Sequence, residues 1–511
     1  MRDYLIFMSD QHNNRVMGCS GDPVIRTPNM DRISKEGVRF AKAYTPCPLC
    51  VPARMSMLTS KLPSKTGIFT NNGSIPEDTP TFLHLLANAG YETVLCGRMH
   101  FEGLDQRHGF MKRIAMDYTP TTIGADQGPN RGQMGMLQGE PYALQIVGGG
   151  NNPVHHYDRY VVQKALEYLA EPHVKPQCIF VGTYGPHSPY IADEQRYAYY
   201  LDKVTVPPCE DLSVTPLHPV EAKRKGEHDP EVLRALRAAY YGCTEMTDEL
   251  VGKVRGAFDA YLEKRRREGV FVYVSDHGDM IGNRGFWGKA SLYDDAEHIP
   301  FLMAGSGIPE GKTVTCPVSL MDLGPTICAM EGIDAELPEQ DGRSLLDVME
   351  GDARREQPVL AEWISGQFRN GRDFGRMVIR DDMKLITYHT TGPEADELFR
   401  LTDDPWEMHD LREEESETAK QLRSLAYANI DADAVVKRKT AREEGLKLVK
   451  TFGRKQHLPN TETWEPTKEQ AKKPAAYVHT KTPLIPPMQA AWDAGSWAGA
   501  DPGRFFMKTP R

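Results

Sequence analysis

No apolar run in this 511-residue chain approaches the roughly 20 residues that a membrane-crossing helix needs, and its mean hydropathy is -0.51. A helical membrane span is therefore not expected. Nor is there a basic stripe: 61 Lys and Arg stand against 71 Asp and Glu, the net charge is -10, and the cations are dispersed. This argues against nucleic acid and anionic membrane surfaces as partners and leaves a small solute. Cysteines are few and odd in number, nine in all, without the spacing of a disulfide framework, which fits a reducing compartment. The stretch Tyr4 to Met8 is too short for a secretory core and is followed at once by polar residues, so the expected location is cytoplasmic. Internal repeats are absent as well.

What is present alternates. Short β-rich runs at Tyr4 to Met8, Glu92 to Cys96, Cys178 to Gly182, Val270 to Val274 and Pro300 to Ala304 are separated by helical patterns. That is the mark of an α/β fold, a large mixed sheet sandwiched by helices, with ligands bound at the carboxyl ends of the strands. Thr27-Pro28 and Thr79-Pro80 each place a cap and a first-turn proline before a helix. A longer helix starts at Asp229-Pro230 and carries Leu236, Tyr240, Cys243, Thr247, Leu250, Val254, Phe258 and Tyr261 at spacings of three and four, a core stripe. The length predicts more than one unit. Residues 1–355 read as the catalytic α/β domain, 356–454 as a small α+β subdomain with an antiparallel sheet, and 455–511 as an extended tail rich in Pro, Lys and Thr. That tail is an arm on the body, an arm on a neighbouring subunit of a homo-oligomer, or mobile.

Chemistry gathers at the strand ends. Asp10-Gln11 follows the first strand, and Asp276-His277-Gly278-Asp279 follows the strand Val270 to Val274. On neighbouring strands the two clusters form a divalent-cation site of mostly oxygen ligands, with a helix cap or turn as the plain alternative for either Asp alone. Cys50 precedes Pro52 at the start of a helix running to Thr59, where free amides and the helix dipole suit a sulfate or phosphate oxygen. With Cys47 it also forms C-x-x-C, which admits a redox or zinc reading. Arg98 and His100, His187, and Lys289 each follow a strand or the Asp-His cluster, and such a gathering of cations and imidazoles at one rim favours catalysis over structure.

Cys50-Val51-Pro52-Ala53-Arg54 resembles the site at which type I sulfatases, members of the alkaline phosphatase superfamily, convert cysteine into formylglycine. The likeness runs from Asp10 to about Gly307, with Glu397-Leu398-Phe399 to Leu411 echoing the family's small C-terminal sheet. Leu62 to Asn71, Arg98 to Phe101 and Asp105 to Phe110 are most similar to the choline-sulfatase branch, and Ser275 to Met280 fits both that branch and the phosphonate monoester hydrolases. The resemblance implies Asp10, Gln11, Asp276, His277 and modified Cys50 as ligands of one divalent ion, calcium first, with manganese or magnesium as alternatives. It implies Arg54 on the formylglycine hydroxyl, Asn71, Arg98, Lys289 and His187 on the substrate, and His100, His187 and Lys289 as proton handlers. The activity it implies is hydrolysis of a sulfate monoester, choline-type or carbohydrate, with a phosphonate monoester or phosphodiester as the alternative. It also implies a maturation partner, either a formylglycine-generating or an anaerobic sulfatase-maturating enzyme. The chain departs from the family at Val51, Ser60, Gln11, Arg98 and His298. For a quaternary ammonium, the sequence offers Trp287, Tyr293 and Asp294 near Lys289. A serine at position 50 offers one hydroxyl where an aldehyde hydrate offers two, so Cys50→Ser is expected to stall after a single turnover; steady multiple turnover in a burst assay would refute this.

Overall fold

The computed structural model describes residues 1–125, 146–207, 217–223, 229–351, 355–365, 372–472 and 476–479. Its layering follows from the alternation in strand β1 (Asp3–Asp10). Tyr4, Ile6 and Met8 face one core and Leu5 and Phe7 the other, and all five are fully buried. A strand apolar on both faces sits inside a helix-covered sheet. Strands β2 (Gly37–Phe40), β3 (Glu92–Gly97), β4 (Lys112–Ala115), β5 (Gln177–Pro186), β6 (Gly269–Ser275), β7 (Phe301–Gly305) and β8 (Lys312–Val314) join it in an eight-stranded sheet, order β8-β2-β7-β6-β1-β5-β3-β4. β7 is antiparallel to β6 and β2 and the other pairs are parallel, so the sheet is mixed, as expected.

Helices α1 (Pro28–Lys35), α2 (Cys50–Thr59), α3 (Phe82–Asn88), α4 (Pro153–Ala170) and α5 (Pro230–Arg265) cover it. α2 and α3 pack on the Tyr4 side, and α1, α4 and the C-terminal half of α5 on the Leu5 side. Asp229 caps α5 by accepting the Glu231 N–H at 2.9 Å, and the expected stripe is buried except for half-buried Leu250. The helix expected at Thr79-Pro80 begins two residues later. Thr81 is its cap, because its side chain and that of His84 satisfy each other's backbone amides.

Strands β9 (Val359–Ile364), β10 (Phe374–Arg380), β11 (Met383–Tyr388) and β12 (Glu397–Arg400) form the small antiparallel sheet in sequence order. One face packs Leu385 and Leu398 on helix α6 (Ser416–Tyr427); the other packs Met377, Ile386 and Phe399 on Tyr44, Leu49, Phe286 and Leu292 of the large body. Helix α7 (Ala432–Lys455) then returns to that body, where Arg438 and Arg442 donate to the carbonyls of Ser64 and Ser74, each at 2.9 Å. Ala476–His479 pairs antiparallel with Val147–Gly149, and the tail from 480 to 511 lies outside the described residues. No helix among the described residues is long and apolar enough to cross a membrane.

Between small sheet and large body lies a buried ion pair: Lys384, without solvent exposure, stands 2.8 Å from Glu407 and 3.6 Å from Asp294. Lys384→Met leaves Glu407 buried without this cation, while Asp294 keeps Arg15, and an equilibrium urea titration is expected to show a loss of about 3–5 kcal/mol. A loss under about 1 kcal/mol would mean that this pair does little to dock the small sheet.

Candidate active site

β1 and β6 run side by side with Ser9 opposite Ser275, so their carboxyl ends deliver Asp10 and Asp276 to one point of the rim. The chain then turns through Gln11 at φ 65°, a left-handed conformation that costs a non-glycine residue roughly 1–2 kcal/mol. Asp276 Oδ1 holds that turn by accepting the Gln11 N–H at 3.0 Å. α2 starts at Cys50, and Arg54 follows four residues later on the same face. Its guanidinium bridges the two strand ends, with Nε 2.8 Å from Asp276 Oδ2 and Nη2 3.0 Å from Asp10 Oδ2, and all three side chains have no solvent exposure. Its remaining branch donates to the Arg98 carbonyl at 3.2 Å, so Arg54 orients both carboxylates beside Cys50.

Cys50 Sγ is ringed by functional groups. It lies 3.2 Å from His277 Nε2, 3.7 Å from Asp10 Oδ1, 3.0 Å from Lys289 Nζ and 3.8 Å from Asn71 Nδ2. Asn71 is oriented by accepting the Val51 N–H at 3.0 Å. Arg98 Nε reaches Asp10 Oδ2 at 2.6 Å, and its Nη2 donates to His100 Nδ1 at 2.8 Å. Lys289 Nζ stands 2.6 Å from His187 Nε2, and His187 is 3.9 Å from Asp10. Gly182 of β5 permits the approach of this group, since a Cβ there would fall 1.9 Å from the Arg98 carbonyl.

Electrostatics sets the protonation states. Burial works against the Asp10 carboxylate, yet Arg98, His187, Arg54 and Lys289 together hold its pKa well below the usual range. Burial pushes His187 well down, helped by Lys289, and lowers His100, helped by Arg98. His277 is lowered too, again chiefly by burial, and its Nδ1 is engaged at 2.9 Å by the Gly278 carbonyl, which turns a free Nε2 lone pair toward Cys50.

One donor atom each from Asp10, Cys50, Asp276 and His277 lie within 4.8 Å of one another. Two buried carboxylates, a neutral imidazole and a sulfur position around one point suit a divalent cation. Gln11 is placed beside this group, but its NH2 donates to Asp279 Oδ2 at 2.6 Å, which leaves only its amide oxygen to offer. Cys47 does not join the donor group. It is buried with Tyr44 and Leu49 against the small sheet, so the C-x-x-C has no zinc geometry.

The residues considered for a quaternary ammonium lie elsewhere. Trp287 is buried beside Tyr190 and Tyr240 in a core cluster, Tyr293 donates to Glu397 at 2.9 Å, and Asp294 pairs with Arg15 at 3.0 Å. His298 stacks on Tyr44 and bonds the Ala41 carbonyl at 2.8 Å, a structural role. Three further carboxylates support the site: Asp279 of the expected Asp-His cluster, and Asp117 and Asp158, which sequence reasoning missed. Asp279 fixes Gln11 and accepts the Gly288 N–H at 2.7 Å, next to Lys289. Asp117 accepts the amides of Met99 and His100. Asp158 of α4 accepts the amides of Tyr184 and Gly185 at 2.7 and 2.9 Å, just ahead of His187. No local pattern marks Asp117 or Asp158, because the amides they hold come from other elements.

Comparison with known proteins decides the family. Sulfatase is the family that matches residues 2–333. The chain belongs to it. N-sulphoglucosamine sulphohydrolase, C-terminal, matches residues 282–429. The chain is 30% identical to a choline-sulfatase of Rhizobium meliloti, over 86% of this chain and 89% of that one. It is 25% identical to arylsulfatase K of Mus musculus, over 84% and 80%. Among solved structures, the phosphonate monoester hydrolase of Agrobacterium radiobacter shares the fold, with TM-score 0.65 at 18% identity, covering 90% of this chain and 96% of that one. This sulfatase is therefore a sulfuric ester hydrolase with the mixed-sheet fold of its relatives.

Burial, opposed by its two amide bonds, raises Asp158 to about 7. The folded sulfatase then holds a proton that the unfolded chain releases near pH 4, so this group's stabilisation is complete below pH 4 and is lost as pH rises through 7. Its full extent is on the order of 4 kcal/mol. Urea midpoints measured from pH 4 to 8 are expected to fall less steeply in Asp158→Asn than in the parent; equal slopes would contradict the assignment.

Proposed function

We propose that this sulfatase hydrolyses the sulfate monoester of a small sugar or alcohol and releases inorganic sulfate. The nucleophile is formylglycine made from Cys50 by a formylglycine-generating or anaerobic maturating enzyme, and one divalent cation is bound, calcium in preference to manganese or magnesium. The observation that supports this best is the crowding of Asp10, Asp276, His277 and Lys289 around the Cys50 sulfur. A predominantly oxygen donor set favours a hard cation. Tyr293 and Asp294 are committed to buried partners, so a quaternary ammonium would need other residues to hold it.

Asp10, Asp276, His277, the Gln11 amide oxygen and position 50 would hold the cation. When present, the cation and the aldehyde hydrate supply a Lewis acid and a nucleophilic hydroxyl beside the sulfur atom. Arg98, Asn71 and Lys289 neutralise the ester's sulfate oxygens. Lys289 and His187 share the proton that the departing alcohol oxygen requires. Burial holds the His187 pKa well down, and its Nε2 accepts from Lys289. His100 handles the proton at position 50.

The test is twofold. Peptide mass analysis of residues around Cys50, in protein produced with its maturating enzyme, is expected to show the aldehyde. That preparation is expected to turn over nitrophenyl sulfate at least about tenfold faster than an aryl phosphonate monoester. An unmodified thiol would remove the mechanism, and the reverse preference would make the protein a phosphonate hydrolase.

A further inference from the structure

Arg98 and His100 stand on a turn whose backbone is not self-sufficient: His100 has φ 61°, and its N–H and that of Met99 are both taken by Asp117 Oδ2, at 2.9 and 3.1 Å. The other oxygen of Asp117 accepts the Thr119 N–H at 3.0 Å and faces Arg98 Nη1 at 3.5 Å. This carboxylate therefore sets the pose of two active-site side chains. What holds Asp117 comes from the far end of the chain.

Asp117 N donates to the Glu462 carbonyl at 3.0 Å and its own carbonyl accepts the Trp464 N–H at 2.7 Å, a two-bond parallel bridge centred on Thr463. The Arg107 fork grips the Glu462 carboxylate at 2.7 and 2.9 Å. Trp464 stacks on Tyr118 and Tyr160 at centroid distances of 6.1 and 6.3 Å. From Tyr118 the aromatic contacts continue inward. Its ring meets Tyr184 edge-on at 4.8 Å; Tyr184 meets His187 edge-on at 4.8 Å and lies 4.5 Å beneath the Arg98 guanidinium. Residues 462–464 thus reach the site by two routes, one polar through Asp117 and one aromatic through Tyr118 and Tyr184. The segment lies beyond both family matches, which end at 333 and 429.

We infer that Glu462–Trp464 is a positioning clamp for the active site, fixing Asp117 and Tyr118 and through them the poses of Arg98, His100 and His187. The clamp touches no reacting atom. Its effect is orientational, and a shift of about 1 Å in such groups lowers rate by up to about a hundredfold. The inference rests on the proposed function only for the roles of those three side chains.

The experiment compares full-length Trp464→Ala, Trp464→Phe and Glu462→Ala with the parent, each produced with the maturating enzyme. Hydrogen exchange is followed in peptides covering 97–103 and β1, and kcat and KM are measured on nitrophenyl sulfate. Trp464→Ala is expected to accelerate exchange at Met99 and His100 while β1 stays protected. It should lower kcat/KM by about ten- to a hundredfold through both constants. Trp464→Phe should recover most of both effects, since it retains a ring to stack. Glu462→Ala supplies the same reading if Trp464→Ala does not fold. Parental exchange at 97–103 together with parental kcat/KM overturns the clamp, and so does faster exchange shared evenly with β1, the sign of a merely structural contact. If the parent itself leaves nitrophenyl sulfate intact while exchange at 97–103 still responds to the substitutions, the clamp stands and the proposed function falls.

Discussion

Two carboxylates cannot lie side by side in a dry protein interior unless a cation stands between them, and Arg54 meets that requirement for Asp10 and Asp276. At an effective dielectric of about 20, unit charges 4 Å apart interact by about 4 kcal/mol, which is comparable to a large share of a domain's net stability. The guanidinium suits this position because its rigid fork directs separate donors at both carboxylates and at the Arg98 carbonyl, where an ammonium offers no fixed fork. The requirement propagates. For Arg54 to reach both strand ends, α2 must begin where it does, and Cys50, one turn earlier, is delivered to the same carboxylates. The geometry of the C-x-P-x-R segment is thus set by charge neutralisation before any chemistry occurs.

The fold was legible where local pattern and tertiary demand agree. β1 reads as a strand because its apolar residues serve both faces of a sheet, and α5 reads as a helix because its stripe and its Asp229 cap coincide. Asp10 and Asp276 could be paired in advance because strands in register end together. Legibility failed where a residue's partner is remote. Asp117 sits in a segment with no motif, and the backbone that holds it is more than 340 residues further along. Tyr293 and Asp294 misled through closeness in sequence to Lys289. Directly after Lys289 the chain dives into the interface with the small sheet, where a tyrosine and an aspartate serve Glu397, Arg15 and Lys384. β9 gave little warning because its apolar residues are matched by neighbours in a sheet only tertiary structure reveals.

The proton inventory of the site follows from hydrogen bonds that the ring nitrogens cannot avoid. A guanidinium only donates, so the 2.8 Å contact from Arg98 makes His100 Nδ1 an acceptor and puts the proton of the neutral ring on Nε2. In that tautomer Nε2 is the donor of the ring. His187 has the opposite arrangement: its Nδ1 is bound to the Ser188 carbonyl at 2.7 Å, so Nε2 accepts from Lys289 throughout. The two rings are thus held in opposite tautomers by bonds that their neighbours impose. Asp117, which bonds neither ring, bears on the first of these states through the His100 backbone amide and the Arg98 guanidinium.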